Sequence, residues 1–298
     1  MKIPIIFLGT GQAIPTAKRN HTAILLKYKN ENLLFDCGEG TQRQFRKVRE
    51  SMSKITRILI THWHGDHILG IPGLFQTLQL SRYQGTLKIY GPRGTNKFIE
   101  LMQKLFVKRG RLKIETREIS RGKVFETNDF IIEAMPMIHQ SPCLAYSFKE
   151  KDRLRIDKKK ISRLKLPGNL IGELARGKNI KYKGKVIEAK KLTYKQRGKK
   201  ITIIMDTAMN ADAVKIAENS DLLISEAVYS EKDKDLAREY KHLTIRQAAE
   251  IAKKAKVKRL ILTHFSQRYE KKGVPLFIEA EKIFKNVGIS EDLDRVEV

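Results

Sequence analysis

The sequence predicts an α/β fold in which short apolar strands carry metal ligands to one edge of a sheet, and three observations support this. The segment His62-Trp63-His64-Gly65-Asp66-His67 packs three imidazoles and a carboxylate into six residues. Three further apolar runs stop abruptly on a ligand-type residue: Phe130 to His139, Lys200 to Asp206 and Lys258 to His264. The segments after Pro72 and Thr244 have helical patterns, so strands and helices alternate along the chain.

In chain order, Met1 to Leu8 reads as the first strand. Its apolar stretch is too short for a secretion signal, and Gly9-Thr10-Gly11 breaks it at once. With Ile14 in the third glycine's place, the glycine pair predicts a tight turn and not a dinucleotide fingerprint. Arg57 to Thr61 is a buried strand, which places the histidine-rich motif at a strand-to-helix turn. Alternate residues of a turn can share a side, so His62 and His64 can bind one ion while Asp66 and His67 face a second. Imidazole and carboxylate without thiolate suit zinc or another borderline divalent metal. Pairs of such ions clamp the attacking and leaving oxygens of a displacement. Asp221 to Ser225 is strand-like and ends on Glu226, for which a capping or bridging role is the alternative. His242 precedes Thr244-Ile245-Arg246-Gln247, a capping box opening an amphipathic helix. His21 is expected to pack near Lys18-Arg19-Asn20 and not to serve as a ligand.

At 298 residues the chain can bury a large core. Its 60 Lys and Arg against 33 Asp and Glu give a formal charge of +27, a balance that favours a polyanionic partner. The stretch 149–200 alone holds 20 basic and 5 acidic residues, a net of +15. This stretch interrupts the strand and helix alternation and reads as either a disordered basic loop or a projecting arm. Cys37 and Cys143 have no metal-type spacing and suit a reducing compartment, with Cys37 in the core. No run approaches the length of a membrane span.

The motif, with the trailing His139, Asp206 and His264, resembles the metallo-β-lactamase superfamily. Phe35-Asp36-Cys37-Gly38-Glu39-Gly40-Thr41-Gln42-Arg43-Gln44, the loop Pro15 to Asn20, Ser225-Glu226-Ala227 and His242-Leu243-Thr244 resemble more specifically the short ribonuclease Z family of tRNA 3′-processing endonucleases. The resemblance runs from end to end and implies an αββα sandwich over 1–149 and 196–298. A flexible basic tRNA-binding arm is implied over 150–195.

It further implies two zinc ions per subunit. One would be held by His62, His64 and His139, the other by Asp66, His67 and His264, with Asp206 bridging. Asp66 would orient the nucleophile, His242 would act as general acid and Glu226 would hold it. The implied substrate is precursor tRNA, cut after the discriminator nucleotide. Lys18 and Arg19 would lie on acceptor-stem phosphates, and Lys158, Lys159, Lys160, Lys165 and Gly168 would contact the tRNA body. Gly168 is followed by Asn169 where the family often has proline. A cytoplasmic homodimer without membrane attachment completes the expectation. The alternatives are another phosphodiesterase or nuclease of the same fold, a silent RNA-binding module and a membrane-surface protein.

Overall fold

The computed structural model describes residues 2–107, 112–162, 164–270 and 273–298, with only the backbone for 273–276. Among the described residues, two seven-stranded sheets form the centre. The first runs, in sheet order, Arg295–Glu297, Pro4–Gly9, Ala23–Tyr28, Glu31–Phe35, Arg57–Leu59, Thr86–Gly91 and Lys113–Glu118. The second runs Val287–Ile289, Leu260–Thr263, Leu222–Glu226, Lys200–Ile204, Cys143–Glu150, Phe130–Met137 and Gly122–Glu126. Each sheet is part antiparallel and part parallel. Its parallel half consists of four strands, Glu31 to Glu118 in the first and Lys200 to Ile289 in the second.

Alternation along the strands builds the layers. Ile5 and Phe7 point between the sheets, where they meet Ile201, Ile203, Leu222 and Ile224. Ile6 and Leu8 point the other way, onto Phe45, Leu74 and Ile99 of the helices Thr41–Lys47, Ile71–Leu80 and Thr95–Phe106. On the far side Leu223, Leu260 and Leu262 pack on Ala213, Ala248 and Ala252 of the helices Ala211–Ala217 and Ile245–Lys254. Strands covered on both faces need apolar residues at consecutive positions, which is why Ile201, Ile203 and Ile204 share one strand. The result is an αββα sandwich, as the family resemblance implies.

Residues 153–196 have a small core of their own. Arg153–Ile156 pairs antiparallel with Thr193–Gln196, and between them lie the helices Lys158–Ser162, Gly168–Ala175 and Ala189–Leu192 and the hairpin Ile180–Tyr182 with Lys185–Ile187. Ile161, Leu166, Leu174, Ile180, Ala189 and Leu192 cluster together without any residue of the sandwich. Lys158, Lys159, Lys160 and Lys165 are exposed. Gly168 opens the second of these helices, also exposed. No described helix is long and apolar enough to cross a membrane.

The glycine pair after the first strand has a different cause from the predicted turn. Neither Gly9 nor Gly11 has a positive φ. A Cβ at Gly9 would lie 1.7 Å from the His21 carbonyl oxygen, so it is the close approach of the neighbouring chain that excludes a side chain.

Candidate active site

Parallel strands end side by side in both sheets, and the candidate ligands sit just past their carboxyl ends, where open α/β sheets place ligands. Arg57–Leu59 leads into His62, Lys200–Ile204 into Asp206, Leu222–Glu226 closes on Glu226 itself, and Leu260–Thr263 leads into His264. His139 follows Phe130–Met137, which is antiparallel to Cys143–Glu150, itself antiparallel to Lys200–Ile204, so it runs with the parallel strands and its carboxyl end reaches the same edge. His264 has φ 60°, in the left-handed region, which for a residue other than glycine signals a backbone held by its surroundings.

The side chains meet in three groups: His62, His64, His139 and Asp206; Asp66, His67 and His264; and Asp206, Glu226 and His242. Asp206 is the shared member. Its Oδ2 lies 3.5 Å from His62 Nε2 and 3.7 Å from His139 Nε2. Its Oδ1 lies 3.0 Å from His264 Nε2 and 3.5 Å from His67 Nε2. Asp66 Oδ2 stands 3.4 Å from His67 Nε2 and 3.8 Å from His264 Nε2.

Five buried atoms in these groups have no hydrogen-bond partner: His62 Nε2, His67 Nε2, His264 Nε2, Asp206 Oδ1 and Glu226 Oε2. Buried polar groups are ordinarily satisfied, so converging lone pairs without donors fit divalent cations. For four of these histidines the ring nitrogen turned away from the cluster is engaged, whereas His64 Nδ1 faces His139 Nε2 at 3.2 Å within it. His67 Nδ1 is 2.8 Å from Asp36 Oδ2, His62 Nδ1 3.1 Å from Thr61 Oγ1, His264 Nδ1 2.6 Å from Thr22 Oγ1 and His139 Nδ1 3.2 Å from the Lys241 carbonyl. A ligating histidine needs this second contact to fix tautomer and ring orientation.

Charge follows the same geometry. Burial pushes His62 well below the ordinary imidazole range and His139 down to about 4. At His67 burial acts the same way, but Asp66, Asp206 and Asp36 outweigh it and hold the ring well above that range. His242 is opposed by burial and yet held up at about 9, first by the Glu226 carboxylate and then by Asp206. His242 Nδ1 lies 3.2 Å from Glu226 Oε1, which also accepts the Thr207 N–H at 2.7 Å.

Two loop cations predicted as substrate contacts are placed differently. Lys18 is exposed. Arg19 turns inward: its Nη1 donates to Thr10 Oγ1 at 2.6 Å and to the Ser290 carbonyl at 2.8 Å, and its guanidinium lies 5.1 Å from the centre of the Phe265 ring. That side chain is half-buried, with Nη1 committed to the fold. His21 is buried with Nε2 3.1 Å from the Ala13 carbonyl, in the packing role expected of it. Sequence reasoning gave no role to Asp36, Thr61 or Thr22. The signal for Asp36 was a carboxylate directly after an apolar strand, the same pattern that exposed Asp206; the two threonines carry none.

Residues 3–156, just over half of the chain, match the family described as Anti-Pycsar protein Apyc1. That match assigns the first half of the chain to this family and stops short of Asp206, Glu226, His242 and His264. Ribonuclease Z of Methanothermobacter thermautotrophicus is 40% identical over 296 residues, covering 99% of this chain and 96% of the relative. The chain belongs to the ribonuclease Z family. Ribonuclease Z of Archaeoglobus fulgidus agrees, at 38% identity over 306 residues, 100% of this chain and 98% of the relative. Among solved structures, human tRNase Z, short form (ELAC1), superposes with TM-score 0.72 at 30% identity, covering 98% of each chain. The metallo-β-lactamase fold protein YhfI from Bacillus subtilis reaches the same TM-score at 21% identity and shows the fold alone.

Proposed function

We propose that this member of the ribonuclease Z family cleaves the 3′ trailer from precursor tRNA after the discriminator nucleotide, leaving a 3′-hydroxyl on the tRNA and a 5′-phosphate on the trailer. Family membership makes the chain a hydrolytic endoribonuclease with a metal-dependent site. The observation that carries the finer reading is the His242–Glu226 pair beside the metal cluster, with His242 Nδ1 3.9 Å from Asp206 Oδ2. A protonated imidazole in that place can serve an oxygen leaving from phosphorus.

His62, His64 and His139 with one oxygen of Asp206, and Asp66, His67 and His264 with the other, would each hold a divalent cation, which we read as zinc. When bound, such ions supply Lewis acidity that lowers the pKa of water and offsets phosphate charge. Asp66 orients the attacking water and takes up its proton as the new oxygen–phosphorus bond forms. His242 gives its proton to the departing 3′ oxygen as the old bond breaks. Glu226 keeps His242 charged and aimed, and the Thr207 N–H fixes Glu226 in turn.

Lys18 on its exposed loop meets acceptor-stem phosphates. The exposed Lys158, Lys159, Lys160 and Lys165, with Gly168, form the tRNA grip of the arm 150–195. Backbone contacts of this kind position an RNA without reading its sequence, so selection rests on tRNA shape. As the family resemblance implies, the arm of one subunit would serve the active site of the other in a homodimer, working in the cytoplasm.

The test is cleavage of end-labelled precursor tRNA by the metal-loaded protein and by His64→Ala. A single cut beside the discriminator, abolished by the substitution, is the expected result. Processive trimming, or no cut with small phosphodiesters still hydrolysed, would instead assign a different phosphodiesterase on the same fold.

A further inference from the structure

The loop that carries Lys18 is tied to the sandwich through a residue outside every motif named above. Ala13, Ile14, Pro15, Ala17 and Lys18 are exposed. Within the loop Thr16 N donates to the Arg19 carbonyl at 3.0 Å, and Thr16 Oγ1 accepts from the Lys18 and Arg19 N–H groups at 3.2 and 3.0 Å. Thr16 Oγ1 also donates to Glu270, which anchors the middle of the turn, and the remaining ties to the sandwich are at the loop's ends.

Both ends meet one carboxylate. Asp292 Oδ1 accepts from Thr10 N at 3.0 Å and Thr10 Oγ1 at 2.7 Å. Asp292 Oδ2 accepts from Asn20 N at 2.7 Å and from Gln44 Nε2 at 2.7 Å. Thr10 precedes the loop, Asn20 closes it, and Gln44 belongs to the helix Thr41–Lys47. Just past the loop, Thr22 Oγ1 holds His264 Nδ1 at 2.6 Å. The offset between Lys18 and the metal cluster is therefore set where Asp292 gathers these four donors.

The geometry points to Asp292 as the positioning residue of the substrate loop, fixing the span from Thr10 to Asn20 so that Lys18 meets the phosphodiester backbone of the substrate in register with the scissile bond. This rests on the precursor tRNA reading above. Asp292 contacts none of the cluster residues by hydrogen bond and acts only through the loop. An asparagine there keeps the volume but has one acceptor oxygen, and its amide turns donors toward one of the two donor pairs. The Thr10 hydroxyl or the Gln44 amide can reverse to accept, but a backbone N–H, of Thr10 or of Asn20, loses its acceptor, and the loop widens its range of positions. The cost falls on binding a large substrate and not on the chemistry.

The experiment compares the metal-loaded wild type, Asp292→Asn, Lys18→Ala and the double variant on precursor tRNA and on bis(p-nitrophenyl) phosphate. For Asp292→Asn the expected result is a KM for precursor tRNA raised about tenfold with kcat within about twofold. The small diester, which does not reach the loop, keeps its kcat/KM. The double variant is no worse than the worse single one, because both changes act through one loop. Thr10→Val, which removes one donor to Asp292 together with an acceptor of Arg19 Nη1 at the same loop end, gives the same split in weaker form and keeps the question answerable if Asp292→Asn fails to fold. Multiplying effects in the double variant, equal losses on both substrates, or an unchanged KM would each overturn the inference. A wild type that makes no cut beside the discriminator sinks the substrate reading together with it, whereas these three results in an enzyme that does cut sink the inference alone.

Discussion

Replacing Asp36 by asparagine tests how the cluster is held, since Asp36 touches it directly at His67 and, through Thr61 Oγ1, supports His62. Asp36 is fully buried and accepts three hydrogen bonds: from Thr61 N at 2.7 Å, from Thr61 Oγ1 at 2.8 Å and from His67 Nδ1 at 2.8 Å. The Thr61 N–H bond falls on Oδ1, and the other two fall on Oδ2. Asparagine can keep the first with its carbonyl, which leaves an NH2 facing His67 Nδ1. The imidazole must then either lose that contact or switch tautomer and accept at Nδ1. The switch moves the ring proton to Nε2, the atom that faces Asp66 and Asp206. A protonated Nε2 cannot ligate. Losing such a supporting contact typically weakens metal affinity about 10- to 100-fold, which is roughly 1.4–2.7 kcal/mol. The assay is a competition titration of the metal-free protein with zinc against a chromophoric chelator, alongside a thermal melt of the metal-free form. Unaltered affinity for every bound equivalent, in a variant that melts like the wild type, would refute the claim that Asp36 sets the His67 tautomer.

Three further outcomes are expected. Glu226→Gln removes the carboxylate that chiefly holds His242 up at about 9. A general acid acts while protonated and activity fades as pH rises through its pKa, so the alkaline limb of the pH–rate profile moves to lower pH in the variant. Bound cations lower both limbs alike, and an unmoved limb would remove Glu226 from that role. Replacing 151–198 by Asn-Gly joins Glu150 to Lys199, whose backbones are already bonded at 2.8 Å, across a two-residue hairpin. This variant should fold and hydrolyse bis(p-nitrophenyl) phosphate while losing at least about 100-fold in kcat/KM on precursor tRNA, and retention of tRNA cleavage would remove the arm from substrate binding. Burial pushes the Cys37 thiol up to about 12 and Cys143 well above the ordinary thiol range, so neither should react with a disulfide reagent at pH 8 until the protein is unfolded.

The site was legible where a ligand type interrupts an apolar strand. His62, Asp206 and His264 each break a run whose residues are committed to two packed faces, so a polar group there must have a partner or a purpose. His139 was legible for the same reason. Asp36 shows the same signal, and its role stayed hidden because the partner that explains it, His67, lies 31 positions away across a sheet edge. Arg19 was misleading for a different reason. Adjacent cations on a loop look interchangeable in sequence, and only the positions of Thr10, Ser290 and Phe265 show that one side chain is folded inward. Asp292 gave no signal at all, because a carboxylate near the end of a chain is ordinarily a solvated surface group.

The buried acids of the site bear on how many cations it takes. In a chain of net charge +27, the carboxylates of Asp36, Asp66, Asp206 and Glu226 are each less than a tenth exposed and close on a single cluster. Four negative charges in so little water require compensation, since unpaired buried charges are costly. Protonated histidines supply it only in part, because burial drives His62 and His139 toward the neutral form. Two divalent cations would balance four carboxylates. That leaves the His242 proton as the one surplus positive charge, set to one side of the bridging Asp206. A phosphodiester carries one negative charge in its ground state and gains more as water adds and the leaving oxygen departs. With two such cations bound, a site neutral but for a single mobile proton would bind the ground state modestly and the transition state more strongly, the differential on which catalysis depends.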